Sequence, residues 1–124
     1  MRLAYKLWLE DDEGKAFGEG PRRLLMMVDE TGSLSGAAAA IGMSYNKAWH
    51  LIRRLEQVLG FRLLVRRAGG IAGGGSELTP QAHELLARYA AFTDEAHHHL
   101  LALYDTHFPA GSLFADKADR DLRD

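Results

Sequence analysis

The stretch from Gly32 to Thr79 constrains this chain more than any other. It opens Gly32-Ser33-Leu34-Ser35, passes through the consecutive alanines 37–40 and reaches a Gly42-Met43-Ser44 break. Alanines leave little side-chain bulk, so a neighbouring helix can approach closely, and glycine at 42 supplies a turn without steric cost. A second helix is predicted from Ser44, a good N-cap, to about Leu59, with Gly60 as its stop. Ala48, Leu51, Ile52, Leu55 and Leu59 recur at three- and four-residue spacing and define its buried stripe. Leu63-Leu64-Val65 and Glu77-Leu78 read as short strands on either side of a loop, Gly69 to Ser76, that holds five glycines. Helix, turn, helix and hairpin in this order predict a winged helix-turn-helix, a device that places its second helix in the DNA major groove.

The flanks extend this plan. Ala4 to Glu10 alternates apolar and polar residues around Tyr5, Leu7 and Leu9, which predicts a strand, with a turn over 11–14 and a return over Lys15 to Phe17. Pro21 opens a helix at its first position, where no N–H is needed. Its apolar residues are Leu24, Leu25, Met27 and Val28, and Gly32 ends it. Ser33 then caps a short helix, Leu34 to Ile41. Downstream, Thr79-Pro80 starts a long helix in which Ala82, Leu86, Tyr89, Thr93, Ala96, Leu100, Leu103 and His107 follow coiled-coil spacing. If it reaches Phe108 it measures about 45 Å. A single small domain does not cover that length, so the helix either wraps its own body or pairs with a second copy. The expected architecture is mainly α with a little β. A winged helix-turn-helix occupies 1–78 with its wing at 63–78. A dimerisation helix follows over 79–108, with Leu86, Tyr89, Thr93, Ala96, Leu100 and Leu103 at the seam, and then a flexible tail over 109–124.

Net charge is −2, which by itself argues against a polyanionic partner. The charge is segregated, however. Between Ser44 and Arg67 stand six basic residues (Lys47, Arg53, Arg54, Arg62, Arg66, Arg67) and one acid, Glu56. Acids concentrate at Glu10 to Glu13 and at Asp116, Asp119, Asp121 and Asp124. A basic face on an acidic body is the expected result, and the local field decides where a polyanion lands.

The first residues of the second helix, Ser44, Tyr45, Asn46 and Lys47, are those that meet base edges in such a motif, with His50 one turn later. Asparagine can read adenine through two hydrogen bonds and lysine can donate to guanine. Arg53 and Arg54 lie farther along and suit phosphate. Arg66 and Arg67 flank the glycine loop, where both can pair with phosphate or enter the minor groove, and Gly69 and Gly70 would let the loop follow the sugar–phosphate surface closely. Taken alone, Asn46 and Lys47 are ordinary exposed helix residues; the alanine-rich helix and turn before them give the reading its force. Trp49 is expected to pack against the first helix. His97, His98 and His99 diverge by about 100° per residue, so they cannot converge on one ion within a chain. A site shared across a dimer with Asp94 or Glu95 is the alternative.

Other classes are excluded. There is no cysteine, so disulfides and thiolate metal sites are ruled out. No apolar run approaches the ~18 residues of a membrane span. Glu10, Asp11 and Asp12 interrupt any signal-like stretch. A soluble cytoplasmic protein is the expectation, without membrane contact. No Ser/His/Asp, paired-carboxylate or H-E-x-x-H arrangement occurs, so neither an enzyme nor a cofactor is expected.

Several motifs carry a resemblance: G-S-L-S at 32–35, G-M-S-Y-N-K-A-W at 42–49 and R-A-G-G-I-A-G-G-G-S-E-L-T at 67–79, with K-L-W-L-E-D-D at 6–12 and F-G-E-G-P at 17–21. Over about Lys6 to Phe108 the chain resembles the DNA-binding domain of the ModE molybdate-responsive regulators. It more distantly resembles LysR-type regulators through I-R-R-L-E at 52–56 and L-G-F-R-L-L-V-R at 59–66. The resemblance implies a winged-helix domain that dimerises through its long C-terminal helix and binds palindromic operators in double-stranded DNA. Ser44, Tyr45, Asn46, Lys47 and Trp49 match that family's recognition-helix motif. Arg67, Gly69, Gly70 and Gly73 to Gly75 match its wing, whereas Ile71-Ala72 stands where a basic or glycine residue would be expected. Full-length members continue into a molybdate-binding region. This chain ends sixteen residues after the helix, so molybdate binding is not expected of it, and a separate protein could supply effector sensing. The alternative readings are a winged-helix module that binds protein and a metal sensor built on the histidines.

Overall fold

A computed structural model describes residues 1–67 and 75–110. The elements run β1 (Leu9–Asp11), β2 (Gly14–Phe17), α1 (Glu19–Thr31), α2 (Leu34–Ala40), α3 (Tyr45–Leu59), β3 (Leu64–Arg67), β4 (Gly75–Leu78) and α4 (Pro80–His107). β1 pairs antiparallel with β2, and β3 with β4, as two separate hairpins. This is the mainly helical, winged helix-turn-helix order expected, with a long final helix. The chain forms two compact units. One is residues 6–88; the other joins residues 1–5 to residues 89–110.

Local chemistry sets most boundaries. α1 begins two residues ahead of Pro21, because any first-turn amide lacks an intrahelical acceptor and proline is tolerated there. Glu19 in the same turn complements the helix dipole. α1 ends at Gly32, whose φ of 80° is left-handed and whose N–H donates to the Val28 carbonyl. The Ser33 hydroxyl accepts from the Gly36 amide at 2.9 Å and starts α2. The Ser44 hydroxyl accepts from the Lys47 amide at 3.1 Å and starts α3. Thr79 does the same for α4, accepting from the Ala82 amide at 3.1 Å.

The first strand is shorter than the alternation over Ala4 to Glu10 predicts. Leu9 already pairs with Phe17, so anything before Leu9 would need partners beyond Phe17. There the chain turns at Gly18 into α1 and offers no ladder.

The core of the 6–88 unit holds Phe17, Leu24, Leu25, Val28, Leu55 and Leu63, all essentially inaccessible. Ala37, Ala38 and Ala48 are equally buried, so small side chains bring α2 close to its neighbours. One acid is buried with them: Glu56, only 9% exposed. Its Oε2 accepts from the Leu63 amide at 2.7 Å, from the Leu64 amide at 3.5 Å and from Arg62 Nε at 3.1 Å. The turn from α3 into β3 is thereby held to the helix it leaves. The Leu63 carbonyl in turn accepts from the Thr79 amide at 3.0 Å, in the same register as the β3–β4 pairing, and β3 itself begins at Leu64, one residue later than Leu63-Leu64-Val65 predicts.

Replacing Glu56 with alanine strands the buried Leu63 amide and removes the carboxylate that holds the exposed Arg62 guanidinium. The expected loss is roughly 3 kcal/mol, read from the shift of a denaturant midpoint. A shift of less than about 0.5 kcal/mol, the size of an ordinary surface substitution, would contradict this role.

Candidate nucleic-acid interface

α3 turns about 100° per residue, and its buried arc is set by Ala48, Ile52, Leu55 and Glu56. The opposite arc carries Asn46, His50, Arg53 and Gln57, spaced four, three and four residues apart, and all are exposed. Lys47 and Arg54 lie on one flank of this stripe and Tyr45 and Trp49 on the other, again exposed. Ser44 satisfies the Lys47 amide, while the helix start keeps its positive partial charge outward beside Asn46. Among the described residues nothing seals that end, since Ser44 to Lys47 are all exposed.

The two flanks meet different neighbours. Arg54 reaches toward the β1–β2 turn: a Cβ added to Gly14 would lie 3.1 Å from its Nη2. On the other side a slot of about 250 Å³ opens between α3 and the β3–β4 hairpin, lined by Tyr45, Trp49, Arg53, Arg62, Arg66 and Ser76. Trp49 belongs to this slot. It is 40% exposed and is not buried against α1, which corrects the expectation for it. The Arg53 guanidinium lies 5.1 Å from its ring centre, and His50 meets it edge-on at 5.1 Å. α3 places residue 49 between the buried and exposed arcs, and the hairpin side of that border is open.

The local charge is less available than a count of residues suggests. Arg62 is tied to Glu56 and also donates to the Leu64 carbonyl at 3.4 Å. Arg53 Nη1 stands 3.7 Å from Glu56 Oε1. Arg66 lines the slot, whereas Arg67 turns toward Gly32. Gly69, Gly70, Gly73, Gly74 and Ile71-Ala72 lie outside the described residues, as does the tail beyond residue 110.

Sequence reasoning missed two residues here. Gln57 completes the exposed stripe, and its spacing of eleven from Asn46 was the available signal. Glu56 holds the hairpin to the helix, and its signal was its place among Ile52, Leu55 and Leu59 in the buried arc.

Along α4, Tyr89 is buried within the single chain, and Leu86, Thr93, Ala96 and Leu100 are half-buried. Leu103 is exposed, as are Phe92, Leu101 and Phe108. The three consecutive histidines take separate partners. His97 shares a 2.6 Å hydrogen bond with the Tyr5 hydroxyl, His98 faces the Asp94 carbonyl at 2.9 Å, and His99 lies 3.8 Å from Glu95. Among the described residues no group of three or more ligating side chains converges on one point. No described helix is long and apolar enough to cross a membrane.

Comparison with known proteins fits this geometry. The family model described as bacterial regulatory helix-turn-helix protein, lysR family, matches residues 22–83. The molybdenum transport protein ModE of Azotobacter vinelandii is 34% identical over 94 residues, covering 76% of this chain and 35% of that protein. The transcriptional regulator ModE of Haemophilus influenzae is 33% identical over 96 residues, covering 77% and 38%. The DNA-binding transcriptional dual regulator ModE of Escherichia coli K12 is 38% identical over 71 residues, covering 56% and 27%. The chain thus spans about a third of the length of the curated relatives it matches. Among solved structures, the CbnR DBD–DNA complex shares the fold with a TM-score of 0.53 at 23% identity, covering 71% of this chain and 95% of that one. With half of its length matched from within α1 to the first turn of α4, the chain belongs to the lysR family of bacterial regulatory helix-turn-helix proteins.

Proposed function

We propose that this chain is a sequence-specific DNA-binding transcription regulator that acts as a homodimer on a palindromic operator. One observation carries the reading. The uncovered amino end of α3, with Asn46, His50, Arg53 and Gln57 in one exposed stripe, stands beside a hairpin that presents Arg66. Asn46 and Lys47 read base edges, with Ser44, Tyr45 and His50 beside them. Arg53, Arg54 and Arg66 meet phosphate, and Gly69 and Gly70 let the wing approach the backbone. The role is binding rather than catalysis. Relatives named for molybdenum transport support target genes of molybdenum uptake or metabolism.

The long helix supports the dimer. α4 has 28 residues, about 42 Å, and leaves Phe92, Leu101 and Leu103 exposed, with Phe108 exposed just after it. A second copy would cover Leu103 and the half-buried Leu86, Thr93, Ala96 and Leu100 along one seam, whereas Tyr89, expected on the same seam, is already buried within the single chain. Two-fold symmetry then spaces the half-sites by about one helical turn, ~34–36 Å, or a multiple. In this proposal the winged helix spans 1–78 and the dimerisation helix 79–108, with a tail beyond.

Sequencing of genomic fragments selected by the protein should return a palindrome upstream of molybdenum-uptake genes; fragments without a shared motif would contradict the reading. On the selected site, Asn46→Ala should weaken binding by ~1–3 kcal/mol and leave random duplex unaffected, while Arg54→Ala weakens both alike. Equal losses on both duplexes for Asn46→Ala would refute its part in base reading. In sedimentation, the unsubstituted chain should run as a dimer and Leu103→Asp as a folded monomer. A monomer before substitution, or a dimer that survives it, would remove the seam.

A further inference from the structure

Two consecutive arginines end β3, and a strand sends consecutive side chains to opposite faces. Arg66 lines the slot beside Trp49. Arg67 therefore leaves by the other face, and that face meets the corner between α1 and α2. A Cβ added to Gly32 would stand 2.6 Å from Arg67 Nη2, and one added to Gly75 would stand 3.2 Å from the same atom. Gly75 is the cross-strand partner of Arg67. The guanidinium thus crosses its own partner strand to reach the corner.

A backbone bond runs alongside it. The Ser76 amide donates to the Gly32 carbonyl at 2.9 Å, so β4 touches the corner next to the arginine. The approach is close enough that a Cβ on Gly75 would collide with that same carbonyl oxygen. Gly75 is not among the glycines with positive φ, so its backbone would accept alanine. What the position forbids is the methyl group. Gly32 itself has φ of 80°, which turns its carbonyl out of α1. The Ser76–Gly32 bond thus joins the base of the wing to the corner that leads into the helix-turn-helix, with the Arg67 side chain laid against both glycines.

We propose that Arg67 is a positioning residue: it pins the wing to the Gly32 corner and so fixes its angle to α3, rather than neutralising a phosphate as Arg66 does. The proposal rests on the DNA-binding reading above and assigns its two wing arginines different tasks. A phosphate ligand contributes to the salt dependence of binding, because each neutralised phosphate releases counterions and adds about 0.9 to the slope of log K against log salt. A positioning residue contributes to affinity without that charge term.

The test uses the full chain, a random-sequence duplex and five proteins: unsubstituted, Arg66→Gln, Arg67→Gln, Gly75→Ala and the variant that combines Arg67→Gln with Gly75→Ala. Arg66→Gln should reduce the salt slope by about 0.9. Arg67→Gln should weaken binding by roughly tenfold with the slope unchanged, and Gly75→Ala should match it, the two losses not adding when combined. Amide hydrogen exchange gives a readout that needs no DNA. Arg67→Gln and Gly75→Ala should speed exchange at Ser76 while the Leu55 amide, inside α3, stays protected, which also shows that the variants are folded. If Arg67→Gln lowers the slope as much as Arg66→Gln and leaves Ser76 protected, Arg67 is a phosphate ligand and the positioning role is overturned. If the unsubstituted chain shows no salt-dependent duplex binding, the DNA reading fails and exchange alone decides the positioning role. Faster exchange at Ser76 then supports it, and unchanged exchange overturns it.

Discussion

A single buried carboxylate sets the relation between the helix that would read DNA and the hairpin beside it. Glu56 sits in the apolar arc of α3 and binds the backbone where the chain leaves that helix, at Leu63 and Leu64. An acid in that place is stable only because amides and Arg62 surround it. Thr79 works on the same short segment from the other side. Its amide donates to the Leu63 carbonyl, its hydroxyl donates to the Arg62 carbonyl at 2.7 Å, and its oxygen caps α4. Residues 62–64 are thus held from both ends of the wing. Where the hairpin points, and where α4 begins, follow from these few bonds.

The charge distribution is a consequence of the same arrangement. Ion pairing with Glu56 engages Arg62 and draws on Arg53, so the field over α3 depends most on Lys47, Arg54 and Arg66. Short-range reading and long-range attraction fall to different residues. The stripe of Asn46, His50 and Gln57 is polar and adds no fixed charge, whereas the flanking cations supply attraction that salt can screen. The chain's overall acidity is compatible with this, since fields beyond about 8–10 Å are largely screened at physiological salt.

Helix starts were legible in the sequence because they are local events. Ser33, Ser44 and Thr79 each bond to an amide three residues on, and that spacing is written in the chain. The order of helices and hairpins was legible for the same reason. What was not legible depends on partners far along the chain. The alternation of Ala4 to Glu10 promises a long strand, but pairing stops where β2 gives way to α1. Trp49 lies at the border of two helix arcs, and periodicity cannot say which neighbour fills that border. Glu56 reads as a surface acid until the Leu63 amide, seven residues later, is placed above it. Gly75 reads as one of a run of loop glycines, yet the structure gives it a separate reason, the near approach of the Gly32 carbonyl.

Everything functional depends on α3 offering its amino end and exposed stripe to a duplex. Backbone amide shifts recorded while a selected duplex is titrated into the labelled protein address this most directly. The account predicts large shifts at Ser44 to Lys47, His50, Gln57 and Arg66, with α1 residues such as Leu24 and Val28 unmoved. Shifts that cluster on the β1–β2 hairpin or along α4, with the start of α3 silent, would contradict it.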